Sequence, residues 1–355
     1  MASTLADRLR ERLRRGGAVP FADWMQACLY DPEGGFYARH AGEADSGHGV
    51  HGVHGIHPAG TRPGTHFATG PTLHPFFAQA VAADLAEAWR RAGSPTAWTV
   101  AEFGAGTGAL ARDTAAALRR AGVPIEWVAI DVHPGSALPG VHWSTTAPVA
   151  FDAAVANEFL DALPFDLHEW RDGRWNRVGV GLDDEGEEGG EGREGGERFA
   201  WRLLGESRIH LPPGREDGER RVVMPGMPLW LDAVARAGAR FVVVVDYGAT
   251  GPARDARAFR DHGPAEPLDE PGTVDLTADV DFALLQAHAA RAGFKPELET
   301  QEAFLLRHGV LDALNAADRS SVYGASSYLR LRQLLLPTGM GAAFKVLRLQ
   351  RPSAT

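Results

Sequence analysis

The segment from Thr99 to Leu118, TVAEFGAGTGALARDTAAAL, most constrains what this chain can fold into. A short apolar, β-prone run leads into a glycine-rich turn, and an alanine-rich helical pattern follows. Gly104, Gly106 and Gly108 lack the Cβ atoms that would keep a ligand away, and they permit the positive φ angles of a sharp strand-to-helix turn. The segment therefore predicts a strand, a ligand-binding loop and a helix, which together form the first unit of an α/β fold.

Two classes of cofactor compete for this loop. A dinucleotide fingerprint, G-x-G-x-x-G/A, is satisfied by Gly104, Gly106 and Ala109, with Asp131 at the end of the next strand to bind a ribose. An S-adenosylmethionine pocket has an acidic residue just before G-x-G-x-G, and EFGAGTG, which starts at Glu102, has that pattern. A carboxylate there would repel a pyrophosphate but attract the ammonium and sulfonium of S-adenosylmethionine. The sequence favours S-adenosylmethionine, with Asp131 accepting hydrogen bonds from its ribose.

Composition bounds the class of protein. The chain has 355 residues, 44% of them hydrophobic, which is enough for one large domain or two ordinary ones. A net charge of −10 argues against a dedicated nucleic-acid binder, whose phosphate contacts need clustered Lys and Arg. Cys28 is the single cysteine, which excludes an internal disulfide and a cysteine-built zinc site and fits a reducing cytoplasm.

The length of the apolar runs in the sequence indicates whether the chain could span a membrane or carry a secretory signal. None approaches the roughly 20 residues that a membrane-spanning helix requires, and the N-terminus lacks the apolar core of a secretory signal. We therefore predict a soluble, cytoplasmic protein without a membrane partner. Lys295 and Lys345 are the only lysines beside abundant Arg, Ala and Gly, a composition typical of a GC-rich bacterium.

The sequence of residues 1–95 predicts a helical cap that precedes the α/β domain. Helical patterns cover Leu5 to Arg15 and Pro20 to Tyr30, and turn residues end the second of them. A further amphipathic helix runs from Ala78 to Arg91. We expect the cap to close over the cofactor.

Within that cap, residues 41–64 lose hydrophobic periodicity and become rich in glycine and histidine. Four histidines recur there at a spacing of three residues: His48, His51, His54 and His57. Imidazoles on a flexible segment have no neighbouring groups to orient them, so we predict a disordered loop and assign no metal ligands.

A buried strand from Phe151 to Ala156 runs directly into a second polar cluster, which contains Asn157, Glu158 and Asp161. Ligands of an open α/β sheet bind outside the carboxyl ends of its strands, so this cluster should face the reacting centre. An amide and two carboxylates suit an acceptor with several N–H donors, such as a guanidinium. For Asp161, capping of a following helix is an equal alternative.

The rest of the chain completes one domain over residues 96–355. A β or helical insertion covers about 165–225, and its acidic, glycine-rich run at 183–197 should be disordered because it cannot bury apolar surface. The buried strand from Phe241 to Gly248 places Asp246 and Tyr247 on the same rim as Glu158. Three helices and a last strand follow.

Motifs along nearly the whole chain carry a family resemblance. They are YDPEGGFY at 30–37, FATGP at 67–71, EFGAGTG at 102–108, NEFLDALP at 157–164, VDYG at 245–248, PGTVDLTADVDF at 271–282, TQEAFLL at 300–306 and MGAAFKVL at 340–347. In this order they resemble the MidA-like methyltransferases, whose best-known acceptor is a protein arginine. The sequence departs from the family pattern at His66, Thr72 and Asp279.

The resemblance implies an α/β, Rossmann-like class I methyltransferase sheet with an N-terminal helical cap and an inserted substructure. It implies S-adenosylmethionine as the cofactor and a protein acceptor such as a respiratory-chain subunit. It places the cofactor at Glu102, Gly104, Gly106, Gly108, Asp131, Thr69 and Pro71. It places the acceptor near Asn157, Glu158 and Asp161, where Glu158 would orient the nucleophile for attack on the sulfonium methyl and Asp161 would support it.

Three alternatives to a protein arginine methyltransferase stay open at this point. The same fold could methylate a small molecule, or it could serve as a non-catalytic assembly adaptor that keeps a cofactor pocket for stability. The dinucleotide interpretation of the glycine loop would make the chain an NAD-dependent oxidoreductase. The acceptor departures affect the choice among them, whereas the cofactor half of the family pattern is intact.

Overall fold

The computed structural model describes residues 3–40, 74–183, 197–260, 263–317, 322–336 and 339–352. The histidine-rich loop, Thr69, Pro71 and most of the acidic run therefore lie outside the described residues. The chain divides into two compact units, the first formed by Met1–Gly42, Ala162–Gly226 and Pro252–Ala278, and the second by Glu43–Asp161, Met227–Gly251 and Asp279–Thr355. The division into a cap of residues 1–95 and a domain of residues 96–355 stays a prediction.

Helices and strands alternate along the described chain. The helices are α1 (Leu5–Gly16), α2 (Phe21–Tyr30), α3 (Phe36–His40), α4 (Pro75–Arg91), α5 (Ala109–Arg120), α6 (Gly226–Arg236), α7 (Phe282–Arg291), α8 (Gln301–Arg307), α9 (Val310–Ala316), α10 (Val322–Gln333) and α11 (Met340–Ala343). The strands are β1 (Val19–Pro20), β2 (Trp98–Phe103), β3 (Ile125–Ile130), β4 (Val141–Ser144), β5 (Ala153–Asn157), β6 (Asp166–Arg171), β7 (Arg174–Asp183), β8 (Arg198–Glu206), β9 (Arg220–Val223), β10 (Phe241–Ala249), β11 (Arg257–Arg260), β12 (Gly263–Ala265), β13 (Asp275–Thr277), β14 (Val280–Asp281), β15 (Lys295–Thr300) and β16 (Phe344–Gln350).

The second unit contains a mixed sheet in the order β15-β16-β10-β5-β2-β3-β4. The strands from β10 to β4 are parallel, whereas β16 runs antiparallel to both of its neighbours. The chain moves outward from β2 to β4 and then returns to place β5 on the other side of β2. That reversal between β2 and β5 is a topological switch point, where open α/β sheets bind their ligands. The predicted α/β class with a Rossmann-like sheet is confirmed.

The core of the second unit lies between this sheet and its helices. The run of valines in β10 is buried on both faces, which is typical of a central parallel strand. Helix α5 packs against β3 and against α4, and the side chains of Trp127 and Phe304 are fully buried in the same core. This packing fixes the ends of β2 and β5, and those ends carry the predicted site.

The first unit is built around the antiparallel strands β6, β7, β8 and β9, which lie within the insertion predicted over about 165–225. Thr4 caps α1 by accepting a hydrogen bond from Asp7 N at 3.2 Å. On α2, the Phe21 ring lies 5.4 Å from the Phe165 ring and 5.3 Å from the Trp201 ring, which anchors the helix to the sheet of this unit.

Two features were not expected from the sequence pattern. A separate short helix, α9, begins after Gly309, which adopts φ 80°, and α11 precedes the last strand.

Within the described residues, no helix combines the length and the apolar character needed to traverse a bilayer.

The second unit also holds a buried charge network centred on Asp84, which is 3% exposed. Its Oδ1 atom lies 3.0 Å from Arg307 Nη1 and 2.9 Å from His308 Nε2. Arg307 also donates to Glu299 at 2.9 Å. Burial on its own raises the pKa of the Asp84 carboxyl, but the hydrogen bonds from His308 and Arg307 outweigh burial, and the pKa is lowered.

We expect Asp84→Asn to lower the free energy of unfolding by about 2 kcal/mol at pH 7, because it removes a buried carboxylate that accepts hydrogen bonds from Arg307 and His308 while leaving one acceptor oxygen. A lowered pKa stabilises the fold above the ordinary Asp pKa, and this contribution is lost as the pH falls through the folded-state pKa. The difference between the proteins should therefore narrow below about pH 4 in denaturant titrations. Glu87→Gln, in an exposed ion pair on the same helix, is the control and should change stability by less than about 0.5 kcal/mol. An equal loss in both variants would contradict the assignment.

Candidate functional site

The glycine-rich turn joins β2 to α5 with three successive left-handed glycines. The φ angles are 69° at Gly104, 54° at Gly106 and 73° at Gly108. A Cβ atom on Gly104 would lie 2.9 Å from Phe159 Cδ2, so a neighbouring aromatic ring occupies the space a side chain would need. This turn requires glycine for both its backbone angles and its close contacts.

We expect Gly104→Ala to lower the free energy of unfolding by about 2 kcal/mol and cofactor affinity by about tenfold or more, because the methyl group adds a clash to the backbone strain. Gly122→Ala is the matched control, since Gly122 has φ 77° but open space around its Cβ position, and it should lose only about 1 kcal/mol. Denaturant titration and calorimetry measure the two effects. Equal effects in the two variants would show that the Phe159 contact does not shape the turn.

Asp131 lies just beyond β3 and is tied to this turn. Its Oδ2 atom accepts a hydrogen bond from Gly106 N at 2.9 Å, and its Oδ1 atom accepts one from His133 N at 3.1 Å. The side chain is only partly buried, so its remaining acceptor capacity is within reach of a ligand. This placement suits the predicted ribose contact, which stays a prediction.

Glu102 lies in β2 and is only 2% exposed. Its Oε2 atom accepts a hydrogen bond from Trp127 Nε1 at 2.8 Å. Burial raises the pKa of the Glu102 carboxyl to about 8, with the Trp127 hydrogen bond opposing that rise and the charge of Asp131 adding to it. At neutral pH this group is therefore largely protonated. The attraction between Glu102 and the cofactor's positive charge, expected from the sequence, therefore requires this carboxyl to lose its proton when the cofactor binds, and it stays a prediction.

The residues at the end of β5 adopt an unusual geometry. Glu158 has a φ angle of 51°, a left-handed conformation that is strained for a residue with a side chain. Asn157 Nδ2 donates to Glu158 Oε1 at 3.3 Å. Both side chains are partly buried, and Asn157 Oδ1 is a buried acceptor without a hydrogen-bond partner among the described residues. Strained residues and unsatisfied acceptors are concentrated at functional sites.

Asp161 is the predicted site residue that the structure buries completely, with an exposed fraction of 0%. A ligand from solvent does not reach its carboxylate in this conformation, so its role beside the acceptor stays a prediction. The alternative that Asp161 caps a helix is wrong, because the next element is the strand β6, which begins at Asp166. Its backbone N–H instead points to Asp246 Oδ2 at 3.4 Å.

An aromatic cluster that sequence reasoning missed lies beside the glycine turn. The Trp230 ring lies 5.6 Å from the Phe103 ring and 5.9 Å from the Phe159 ring. Phe159 is part of the NEFLDALP motif and packs on Gly104, but Trp230 lies on α6 and nothing in its local sequence connects it to the site. Tyr247, expected at the rim, is buried and packs against Phe344 at 5.9 Å between ring centroids.

These residues fit a cofactor that carries a ribose and a positive charge. Beside the left-handed glycine turn, Asp131 offers carboxylate oxygens and Asn157 Oδ1 offers an acceptor without a hydrogen-bond partner among the described residues. Glu102 can lose its proton when a cation approaches, because an adjacent positive charge lowers a carboxyl pKa. Among the described residues, no group of three or more His, Cys, Asp or Glu side chains is placed to hold a metal ion.

Comparison with known proteins supports this cofactor. A family model described as "Putative S-adenosyl-L-methionine-dependent methyltransferase" matches residues 80–300, more than half of the chain. A crystal structure of a Burkholderia thailandensis protein bound to S-adenosyl-homocysteine is similar, with a TM-score of 0.76 and 26% identity over 98% of this chain and 92% of that one. The expected class I methyltransferase fold is confirmed.

Two curated relatives are similar over most of the chain. One is the Drosophila melanogaster "Protein arginine methyltransferase NDUFAF7 homolog, mitochondrial", 29% identical over 82% of this chain and 71% of its own length. The other is the Xenopus tropicalis "Protein arginine methyltransferase NDUFAF7, mitochondrial", 24% identical over 87% of this chain and 76% of its own length.

Proposed function

This chain belongs to the MidA-like family of S-adenosyl-L-methionine-dependent methyltransferases, and from that premise we propose that it methylates an arginine side chain of a protein acceptor. The names of the Drosophila and Xenopus relatives support arginine as the acceptor. Two further parts of the proposal have other grounds. A respiratory-chain subunit as the substrate rests on the family resemblance, and the cytoplasm as the location rests on the cysteine content and the apolar pattern of the sequence.

The observation that carries the proposal is the group of hydrogen-bond acceptors at the end of β5. Asn157 and Glu158 directly precede Phe159, and Phe159 packs on the glycine turn at Gly104. Asn157 Oδ1 and the carboxylate of Glu158 therefore supply acceptor oxygens next to that turn. A guanidinium presents five N–H donors in a planar fork, and it is best recognised by several oxygen acceptors held in place. Acceptors beside the glycine turn meet that need.

The chemistry that follows requires little of the protein beyond positioning. S-adenosylmethionine supplies an electrophilic methyl group when it is bound. Asn157 and Glu158 bind the guanidinium and direct one of its nitrogens, and Glu158 accepts the proton that this nitrogen loses as its new N–C bond forms. Holding the reacting atoms at near-attack distance away from bulk water accounts for most of the expected acceleration.

Two experiments test the function in sequence. Calorimetry with S-adenosylmethionine and with NAD should give binding for the first compound only. The purified protein and S-adenosylmethionine with a labelled methyl group are then added to a bacterial lysate, and labelled proteins are hydrolysed to identify the modified amino acid. We expect labelled methylarginine with the wild-type protein and a greatly reduced amount with Gly104→Ala.

The other outcomes distinguish the remaining functions. Label in small molecules, or on a residue other than arginine, would overturn the proposed acceptor while leaving the methyltransferase activity in place. Cofactor binding without any transfer would indicate the assembly adaptor. Binding of NAD in place of S-adenosylmethionine would contradict the family assignment itself.

A further inference from the structure

Asp246 lies in β10 and its side chain is completely buried, with an exposed fraction of 0%. Its Oδ2 atom accepts hydrogen bonds from three successive backbone N–H groups at 3.3, 3.0 and 3.4 Å, those of Phe159, Leu160 and Asp161. Its Oδ1 atom accepts a fourth, from Tyr247 N at 2.9 Å. One carboxylate thus holds the whole turn that follows Glu158.

Glu158 is held from both sides by the same strand. Its own N–H donates to Val245 O at 2.8 Å, and the three N–H groups after it converge on Asp246. A left-handed residue with a side chain is less stable than an ordinary conformation by about 1–2 kcal/mol, and it persists only when its surroundings fix it. The contacts from β10 supply that constraint.

We propose that Asp246 is the positioning residue that fixes the conformation of Glu158 for acceptor binding and proton removal. The proposal rests on the proposed function for the role of Glu158, but the clamp itself is a property of the fold. It explains why a carboxylate is buried one strand away from the acceptor group, where it touches backbone N–H groups at the base of the turn.

The hydrogen-bond pattern requires a carboxylate at this position. Both oxygens of Asp246 accept from N–H donors, and an ionised carboxylate can accept at both. An asparagine has one oxygen and one NH2 group. If its oxygen faces the turn, its NH2 faces Tyr247 N–H, and if it is flipped, its NH2 faces the three donors. Either orientation places donors against donors and releases part of the clamp.

Asp246→Asn is therefore the test, with Asp152→Asn as the matched control. Asp152 Oδ2 also accepts a hydrogen bond from a backbone N–H, that of Thr99 at 2.8 Å, but at the amino ends of β5 and β2. Hydrogen exchange measured by mass spectrometry on the full-length protein should show faster exchange of the amides of residues 159–161 in Asp246→Asn only. Cofactor affinity by calorimetry should stay within about threefold of the wild type.

A double-mutant cycle on kcat gives a readout that general destabilisation would not produce. We expect Asp246→Asn to lower kcat by about 10- to 100-fold, the range for losing a charge-assisted hydrogen bond. If Asp246 acts through Glu158, Asp246→Asn combined with Glu158→Gln should be no slower than Glu158→Gln alone. The proposal would be overturned if the reductions in kcat from the two single substitutions multiplied in the double variant. Unchanged amide exchange at residues 159–161 would also overturn it.

These experiments still test the role of Asp246 if the proposed acceptor is wrong, if no methyl group is transferred or if the variant does not fold. If the acceptor is not arginine, the cycle is measured on whichever acceptor takes the label, and the clamp can stand while the proposed function falls. If no methyl group is transferred, the exchange experiment decides alone. If Asp246→Asn does not fold, Asp246→Glu, which keeps the charge but shifts its oxygens by one methylene, should show the same local increase in exchange, and normal exchange in that variant would contradict the clamp.

Discussion

Glu158→Gln is expected to lower kcat for methyl transfer about 100- to 1,000-fold, within the range for removing a general base. Glutamine keeps the size of the side chain and can still accept the hydrogen bond that Asn157 Nδ2 donates to the residue at 3.3 Å. It loses the negative charge that stabilises a guanidinium and the site that takes its proton. The measurement is the rate of labelled methyl transfer at saturating cofactor.

The control for this substitution is Glu126→Gln. Glu126 is exposed on β3 and lies away from the strand ends that carry the site, so its variant should transfer methyl groups at the wild-type rate. Cofactor affinity should stay within about threefold in both variants. A wild-type rate for Glu158→Gln would remove Glu158 from the acceptor site and leave its strained backbone to be explained otherwise.

The second large effect concerns the stability of the protein without cofactor. A carboxyl whose folded-state pKa is raised destabilises the fold above its ordinary pKa, because the unfolded chain releases the proton more readily. For Glu102 the pKa rises from 4.5 to about 8, so this penalty is absent below about pH 4.5, grows as the pH rises and levels off above about pH 8. At about 1.4 kcal/mol per pKa unit it amounts to about 5 kcal/mol at pH 9.

Glu102→Gln should abolish that dependence. Its amide oxygen can still accept the hydrogen bond from Trp127, but it carries no charge at any pH. The variant should therefore gain about 5 kcal/mol in free energy of unfolding, relative to the wild type, from below pH 4.5 to pH 9. Denaturant titrations across this range measure it, with Glu126→Gln again as the control.

The affinity for the cofactor should increase as the pH rises, whereas the stability of the unbound wild type decreases. A bound cation favours the ionised form of Glu102, so the affinity of the wild type for S-adenosylmethionine should increase from pH 6.5 to about pH 8, with release of a proton. Calorimetry in buffers of different ionisation enthalpy detects that proton. A pH-independent affinity equal to that of Glu102→Gln would show that Glu102 does not face the cation.

The local sequence was sufficient to predict the glycine turn, the central strand and the position of two acceptor residues. The three glycines before α5 predicted the turn because glycine is the residue that readily adopts positive φ angles. The valines of β10 predicted a central strand, because a strand that is buried on both faces has no polar side. Asn157 and Glu158 could be placed at a strand end because the apolar run before them has the length of a strand.

What the sequence by itself determined is the order of strands, turns and helices, and the presence of acceptor groups at the ends of β2, β3 and β5. Only the tertiary structure decided the state of those groups. Glu102 is largely protonated at neutral pH because surrounding elements exclude water, Asp161 is buried, and Asp246 reaches across to hold the turn after Glu158. Burial and long-range hydrogen bonds depend on residues far apart along the chain, so no local pattern contains them.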